Sequence, residues 1–402
     1  MPWQDALDSN LDGLLHLNLT LGGTFTAIME VGRRTVRLSG VLTPSDELNV
    51  YGDPMFKARV PIPALPDTPQ RYLNLTVSPV SDYIDMVGFV DSPQESPSQS
   101  RNFFLLPVLI ARGGVDFDPA GRYVFFVGSN EPVENRSVSG FGFGAVQVSP
   151  SLYATAAGVL ADGTAFTAAR KLYDGGRPVL PVRIRMNGNR DALAGLITLP
   201  MAQMSDSVTS ADLQWVKRAQ PLARIAPEGF SMQTIAWCGR YQAPRPGTVL
   251  FPETADRPGN AHVELAGGGL DEAAQGADLA LVRFHLHATP LAYANSGRFQ
   301  IPARKKSTTF PLPNATGLSL EIFPATGLFT GSFNLTDSKP GNPTQTITRR
   351  ATIAGVLLRH DQIGMGFFLL PQLPDPSAVP PTTLGTPPIR SGAIKVERSG
   401  DY

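Results

Sequence analysis

Apolar and polar residues alternate along residues 23–31, GTFTAIMEV. In an extended chain Phe25, Ala27 and Met29 fall on one face and threonines fall on the other. After a short turn at 32–34, the run TVRLSGVL at 35–42 alternates again. Two alternating runs joined by a glycine-containing turn predict a β-hairpin with one buried face, because a helix would repeat its apolar residues every three or four positions.

The same pattern recurs twice along the chain. GFGAVQVS is followed by YATAAGVL, and GLFTGSFNL is followed after a polar turn by ATIAGVLL. The three predicted hairpins occupy residues 23–42, 142–160 and 327–357. Gly-Val-Leu closes each of them, beginning at Gly40, Gly158 and Gly355, and the pentapeptide FFLLP occurs at 103–107 and again at 367–371. Repetition at this level indicates an internally repeated β architecture.

Glycine also interrupts the apolar runs at 82–90 and 190–199. A glycine inside a strand marks a bulge, a bend or the close approach of another backbone, and repeated bends curve a sheet. The sequence therefore predicts an all-β protein with an antiparallel barrel-like or stacked-sheet architecture and very little helix. Short helices are considered only for 211–220 and 270–279.

The connections and the domain boundary follow from polar and proline-rich segments. Residues 61–69 and 372–388 are rich in proline and predict extended connections or a tail, and 91–101 predict a polar loop. We expect a first half over 1–220 and a second half over 221–402, with the division within 221–262. The near-identical terminal hairpins suggest that both halves belong to one continuous sheet system.

Composition narrows the range of functions. The 34 basic residues balance the 34 acidic ones, so no basic excess points to nucleic acid. One cysteine, Cys238, excludes a disulfide within the chain, and between Trp237 and Gly239 we expect it to be a small buried apolar residue. The first ten residues lack the regions of a signal peptide, and no apolar run approaches the ~20 residues of a membrane-spanning helix. These features fit either a cytoplasmic protein or a mature piece or fragment of a larger protein, and the repeat favours the second.

Several motifs together resemble a known type of repeat region. They are GxFT with GVL, GVLADGT at 158–164, LAGLIT at 193–198, LxWxK at 213–217 and TGLFTGSF with GxGFFLLP at 326–371. This order is similar to an uncharacterised glycine-rich β-hairpin repeat region of very large bacterial secreted or cell-surface proteins. The resemblance spans about 22–371 and implies an extracellular or cell-surface location and a structural or adhesive role. It carries no catalytic, cofactor-binding or metal-binding residues.

Candidate chemistry in the sequence is sparse. His285 and His287 project from the same face of a predicted strand and resemble two ligands of a metal, but no third ligand is marked, and His262 with Glu264 cannot be placed beside them. His360 and Asp361 fit a hairpin turn, as do the glycines at 267–269.

We therefore assign no catalytic, cofactor or metal residue and expect a non-enzymatic structural or adhesive module. Its partners would be an extracellular glycan or neighbouring β repeats of the same polypeptide. A carbohydrate-binding or carbohydrate-processing domain is the first alternative, and an outer-membrane β-barrel is the second.

Overall fold

The computed structural model confirms an all-β fold, and every element among the described residues is a strand. No helix in this part of the chain is long and apolar enough to cross a membrane. The described residues are 14–20, 22–31, 34–48, 52, 54–63, 70–80, 83–91, 101–105, 119–129, 138–174, 178–186, 191–200, 207–244, 261–270, 284–286, 297–298 and 317–398.

The first sheet has eight strands in the order β3-β2-β1-β8-β7-β6-β5-β4. Neighbouring strands are antiparallel except β1 and β8, which are parallel. Their bounds are β1 (Leu14–Leu19), β2 (Thr24–Val31), β3 (Arg34–Val41), β4 (Thr43–Leu48), β5 (Pro54–Ile62), β6 (Arg71–Val80), β7 (Tyr83–Asp91) and β8 (Arg101–Leu105).

The second sheet is a nearly closed barrel of nine antiparallel strands in the order β12-β11-β10-β9-β17-β16-β15-β14-β13. We refer to it as the nine-stranded barrel. Its strands are β9 (Gly121–Gly128), β10 (Gly142–Val148), β11 (Tyr153–Val159), β12 (Ala165–Lys171), β13 (Tyr173–Asp174), β14 (Pro178–Met186), β15 (Asp191–Thr198), β16 (Val208–Lys217) and β17 (Phe230–Arg240).

The third sheet is a half-barrel with the antiparallel order β19-β18-β25-β24-β23-β22-β21-β20. Its strands are β18 (Ala261–Gly267), β19 (Phe284–Leu286), β20 (Gly297–Arg298), β21 (Ser319–Phe323), β22 (Leu328–Lys339), β23 (Asn342–Leu358), β24 (Ile363–Pro371) and β25 (Ile389–Arg398).

The three sheets share one feature of strand order, although β1 and β8 pair in parallel and the corresponding strands of the other two sheets pair antiparallel. In each, the strands run as two meanders, and the first strand of the unit lies beside the last: β1 beside β8, β9 beside β17, and β18 beside β25. The repeated hairpins are the second and third strands of the first two sheets, β2–β3 and β10–β11, but the fifth and sixth strands of the third sheet, β22–β23.

A single buried leucine turns the chain at the corner of two of the sheets. Leu42 is the only residue between β3 and β4, and Leu172 is the only residue between β12 and β13. Each is almost fully buried, and each donates its backbone N–H to a carbonyl near the start of the adjacent strand, at Gly23 or Leu152. One bent stretch of chain thus supplies both edges of the sheet, which limits the exposed strand edge.

An aromatic ring from a neighbouring strand covers the glycine of each Gly-Val-Leu. Phe25 lies opposite Gly40, and Phe329 lies opposite Gly355. A Cβ atom at Gly355 would stand 2.2 Å from the Phe329 ring, and one at Gly40 would stand 2.7 Å from the Phe25 ring. The glycines are therefore required by close packing of the ring on the backbone, one of the roles of glycine in strands.

In the middle hairpin the ring comes from the opposite side. The residue facing Gly158 in β10 is Gly144, and neither carries a side chain. Phe166 of β12 covers Gly158 and Phe125 of β9 covers Gly144, with ring centroids 6.2 Å apart. Two flanking aromatics thus fill the space that two adjacent glycines leave.

The nine-stranded barrel and the half-barrel share a hydrophobic core. Val356 and Phe367 belong to the core of the barrel, whereas the next residues, Leu357 and Phe368, belong to the core of the half-barrel. Phe367 stacks on Phe143 of β10 at 5.9 Å. Alternate side chains of β23 and β24 therefore face two different cores, as the period of a strand requires.

Two sequence-based expectations are wrong. The terminal hairpins lie in different sheets, so the chain does not form one continuous sheet system. The boundary after residue 220 does not separate two units either, because it falls within the nine-stranded barrel, between β16 and β17. The considered helix at 211–220 is wrong as well, because β16 runs through Lys217. Here tertiary pairing with β15 and β17 overrides a helix-compatible composition. The considered helix at 270–279 lies, except for residue 270, outside the described residues.

Candidate functional site

Asp162 sits in the turn that follows Gly-Val-Leu in the nine-stranded barrel. The turn is closed by backbone hydrogen bonds from Leu160 to Thr164 and from Gly163 to Leu160, and Gly163 adopts a positive φ of 82°. The backbone N–H of Thr164 donates to Oδ1 of Asp162 at 2.9 Å. This Asx-type bond fixes the carboxylate, whose side chain is only 1% exposed.

Lys217 is the last residue of β16 and faces the inside of the barrel. Leu213 and Trp215 precede it at alternate positions and are both core residues. Trp215 packs edge-on against Phe230 of β17 with centroids 4.8 Å apart. The strand period therefore directs the lysine inward at the end of the barrel, and its side chain is only 6% exposed.

The two groups meet directly. Nζ of Lys217 donates to Oδ2 of Asp162 at 2.6 Å, although the residues are 55 positions apart in the chain. The contact links the β11–β12 turn to β16, which are not neighbours in the sheet. Because desolvating two charges costs several kcal/mol per ion, a pair this deeply buried is kept only with good geometry and further hydrogen bonds.

A second buried carboxylate lies beside the lysine. Asp191 begins β15 and faces Lys217 in the strand register. Its Oδ1 accepts hydrogen bonds from the backbone N–H of Arg218 at 3.3 Å and from Nε2 of Gln220 at 3.2 Å. Asp191 thereby holds the chain at the point where β16 ends and so fixes the position of Lys217.

A cleft opens beside this pair, and we refer to it as the seam cleft. Its volume is about 490 Å³. It lies where the barrel closes without hydrogen bonds, since β12 and β14 approach within 8 Å between Cα atoms but are not paired. The residues that line it are Asp162, Gly163, Thr164, Ala165, Phe166, Thr167, Ile184 and Met186.

The half-barrel contains a second buried ion pair of different chemistry. Arg349 of β23 donates from Nε to Oδ2 of Asp337 at 2.8 Å and from Nη2 to Oδ1 at 3.1 Å. Its Nη1 also donates to the carbonyl of Pro371 at 2.9 Å. A guanidinium held bidentate by a carboxylate stays charged and is not a nucleophile, so this pair fastens the β22–β23 hairpin to the end of β24.

Cys238 is fully buried in β17, as the sequence predicts. Burial in the barrel core raises the pKa of its thiol well above the ordinary value of 9.0, because the thiolate is not solvated there. The thiol is therefore an unreactive part of the core.

The histidine candidates of the sequence form no site that the structure describes. His262 lies opposite His285 in the register of β18 and β19, whereas His287 lies outside the described residues. Among the residues that the structure describes, no three His, Cys, Asp or Glu side chains gather in a metal-binding arrangement. His360 and Asp361 occupy the turn between β23 and β24, and residues 267–269 also form a turn, with positive φ at each glycine.

Sequence reasoning missed the Asp162–Lys217 pair although both residues lie in motifs it quoted. Asp162 belongs to GVLADGT and Lys217 to LxWxK. The helix considered at 211–220 separates Trp215 from Lys217 by about 200° around its axis, whereas the strand places them on one face. If LxWxK is taken as a strand, Leu213, Trp215 and Lys217 fall on one face, and this alternation predicts a lysine that points into the barrel core.

No protein-family model, curated protein or solved structure matches the chain.

Proposed function

We propose that this chain is a non-enzymatic structural or adhesive β module of a secreted or cell-surface bacterial protein. The observation that carries the proposal is the shared core of the nine-stranded barrel and the half-barrel. Backbone hydrogen bonds cross between them as well, from Ser139 to the carbonyl of Ser391 at 3.1 Å and from Phe141 to that of Gly366 at 3.0 Å.

This interface supports a mechanical role because it resists separation of the two sheets. Gly140 lies so close to the half-barrel that a Cβ there would stand 2.4 Å from Cβ of Phe367 and 2.6 Å from the carbonyl oxygen of Gly392. Arg224, in the β16–β17 loop, also bonds through Nε to Pro387 at 2.9 Å. Flexibly linked domains, by comparison, meet through more polar surfaces than this apolar core.

Pulling on single molecules of the full chain tests the proposal. If the two sheets form one mechanical unit, residues 119–398 unfold in one step and release about 1,000 Å of chain at about 3.6 Å per residue. Phe367→Ala removes the half-barrel ring that stacks on Phe143 in the core of the nine-stranded barrel, and it should split this step into two. Unfolding of residues 119–398 in two separate steps in the wild-type chain would contradict the proposal.

A carbohydrate-binding function is the second candidate, and the seam cleft favours it. The cleft combines the Thr164 and Thr167 side chains with the apolar Phe166 and Met186, the mixture that small polar ligands with an apolar face require. A glycan array probed with the full chain tests it, with Thr164→Val and Thr167→Val as the cleft variants. Binding that both variants abolish would establish the carbohydrate function, and no binding to any glycan would reject it.

A further inference from the structure

We propose that Lys217 and Asp162 join covalently through an amide bond between their side chains. This goes beyond the structural role proposed above, because it assigns a self-catalysed modification to the chain. The two reacting groups are a primary amine and a carboxylate in direct contact at 2.6 Å, with side chains 6% and 1% exposed.

The surrounding contacts orient the carboxylate for attack. The N–H of Thr164 donates to Oδ1 of Asp162, and the amine of Lys217 lies against Oδ2. A donor on Oδ1 polarises the carboxyl group and stabilises the negative charge that develops there when a nucleophile adds to Cγ. Asp191 is a positioning residue, since its bonds to residues 218 and 220 hold the end of β16.

The reaction balances without any further reagent. One proton passes from Nζ to Oδ2, which leaves a neutral amine and a neutral carboxylic acid. Nζ then bonds to Cγ, a second proton moves from Nζ to Oδ2, and the Cγ–Oδ2 bond breaks. The ammonium and the carboxylate have become a secondary amide and one water molecule, and the seam cleft, which Asp162 lines, offers the water a way out.

Two physical effects favour the amide over the ion pair in this place. The fold holds the groups in contact, and intramolecular reactions of well-oriented groups reach effective concentrations of about 10⁵–10⁸ M. The product is also uncharged, so the desolvation cost of two buried ions disappears. The bond would tie the β11–β12 turn to β16 across the barrel, in a chain whose one cysteine cannot form an internal disulfide.

Mass spectrometry of the full, folded chain tests the proposal. The expected mass is lower than that of the sequence by one water molecule, and a tryptic digest should contain peptide 137–170 linked to peptide 191–218, because trypsin does not cleave after an acylated lysine. Free peptides 137–170 and 191–217 in the wild-type digest, with no linked species, would overturn it.

Asp162 is followed by Gly163, and an aspartate in that sequence can also lose water by closing on the next backbone nitrogen. Lys217→Arg separates the two reactions, because it keeps the positive charge but removes the nucleophile. The variant should show the full sequence mass, and a water loss that persists in it would assign the loss to the backbone and overturn the proposal.

Asp162→Asn supplies a positive test. Attack of Lys217 on the side-chain amide releases ammonia and gives the same product, so this variant and the wild-type chain should have identical masses and identical linked peptides. Asp191→Asn should slow the accumulation of the linked species, and Asp191→Glu should restore the wild-type rate, which would show that a carboxylate is needed there. A linked species that forms at an unchanged rate in both would remove Asp191 from the proposal.

Discussion

Replacing Gly355 with alanine should destabilise the half-barrel strongly. The added Cβ would lie 2.2 Å from Cζ of Phe329 and 2.6 Å from the carbonyl oxygen of Met365. The ring can shift, but the carbonyl is held in the ladder between β23 and β24. Overpacking of a well-packed core costs about 1–3 kcal/mol, and a contact with fixed backbone places this variant near the upper end, at about 3 kcal/mol.

Two other glycines provide matched controls. At Gly40 the close atoms all belong to the Phe25 and Val60 side chains, at 2.7–2.9 Å, so Gly40→Ala should cost about 1 kcal/mol. At Gly385 the nearest atom is Oγ1 of Thr383 at 3.8 Å, and Gly385→Ala should change the free energy of unfolding by less than about 0.5 kcal/mol.

Urea denaturation followed by circular dichroism measures the series. With a slope of about 1–3 kcal/mol per molar urea, a loss of about 3 kcal/mol lowers the midpoint by about 1–3 M. The urea midpoint should be highest for Gly385→Ala, lower for Gly40→Ala and lowest for Gly355→Ala. If Gly355→Ala unfolds at the same urea concentration as Gly385→Ala, the argument from ring-over-glycine packing is refuted.

Three further changes test other parts of the structure. Arg349→Met leaves the carboxylate of Asp337 buried without its guanidinium and should cost about 3–5 kcal/mol in thermal or urea unfolding, and a loss below 1 kcal/mol would contradict the buried-pair assignment. Cys238 should resist alkylation at pH 8 until urea unfolds the chain, and rapid labelling of the folded protein would show that the thiol is accessible. Because this thiol stays protonated in the fold while the unfolded one ionises near 9.0, the wild-type chain should lose more stability than Cys238→Ala as the pH rises above 9, and equal losses would contradict the raised pKa. Phe367→Ala should cost about 3–5 kcal/mol, and hydrogen exchange should then increase in the barrel as well as in the half-barrel, whereas a change confined to the half-barrel would deny their coupling.

The sequence predicted the local β structure well because strand alternation and turn glycines act over a few residues. The hairpins at 23–42, 142–160 and 327–357 correspond to β2–β3, β10–β11 and β22–β23. Phe25 and Met29 lie on the buried face, as the alternation predicts. The repeated glycines were recognised, but their physical reason, a ring from the next strand, depends on a register that the pattern alone does not supply.

The prediction that the terminal hairpins share one sheet was wrong because hairpins of similar sequence do not specify which strands pair with each other. Hydrophobic alternation in β2 and β22 is nearly the same, so the sequence suggested that they meet, whereas they belong to separate sheets. The contact between Asp162 and Lys217 could not be predicted from the sequence for a similar reason. It depends on the closure of the barrel and on β16 being a strand, and both are set by long-range pairing.

The placement of first and last strands has a consequence for how such units are duplicated and rearranged in genes. In the nine-stranded barrel, Tyr123 of the first strand lies opposite Arg240 of the last, and in the half-barrel Ala261 lies opposite Arg398. The chain therefore arrives and departs at neighbouring points about 5 Å apart, the spacing of paired strands. A unit of this kind can be inserted into a loop of a host protein, or deleted from it, with little displacement of the flanking chain. In the first sheet β1 and β8 run parallel, so the chain enters at one end of the strands and leaves at the other. Insertion of a copy of that unit would therefore move the flanking segments apart by about the length of a strand.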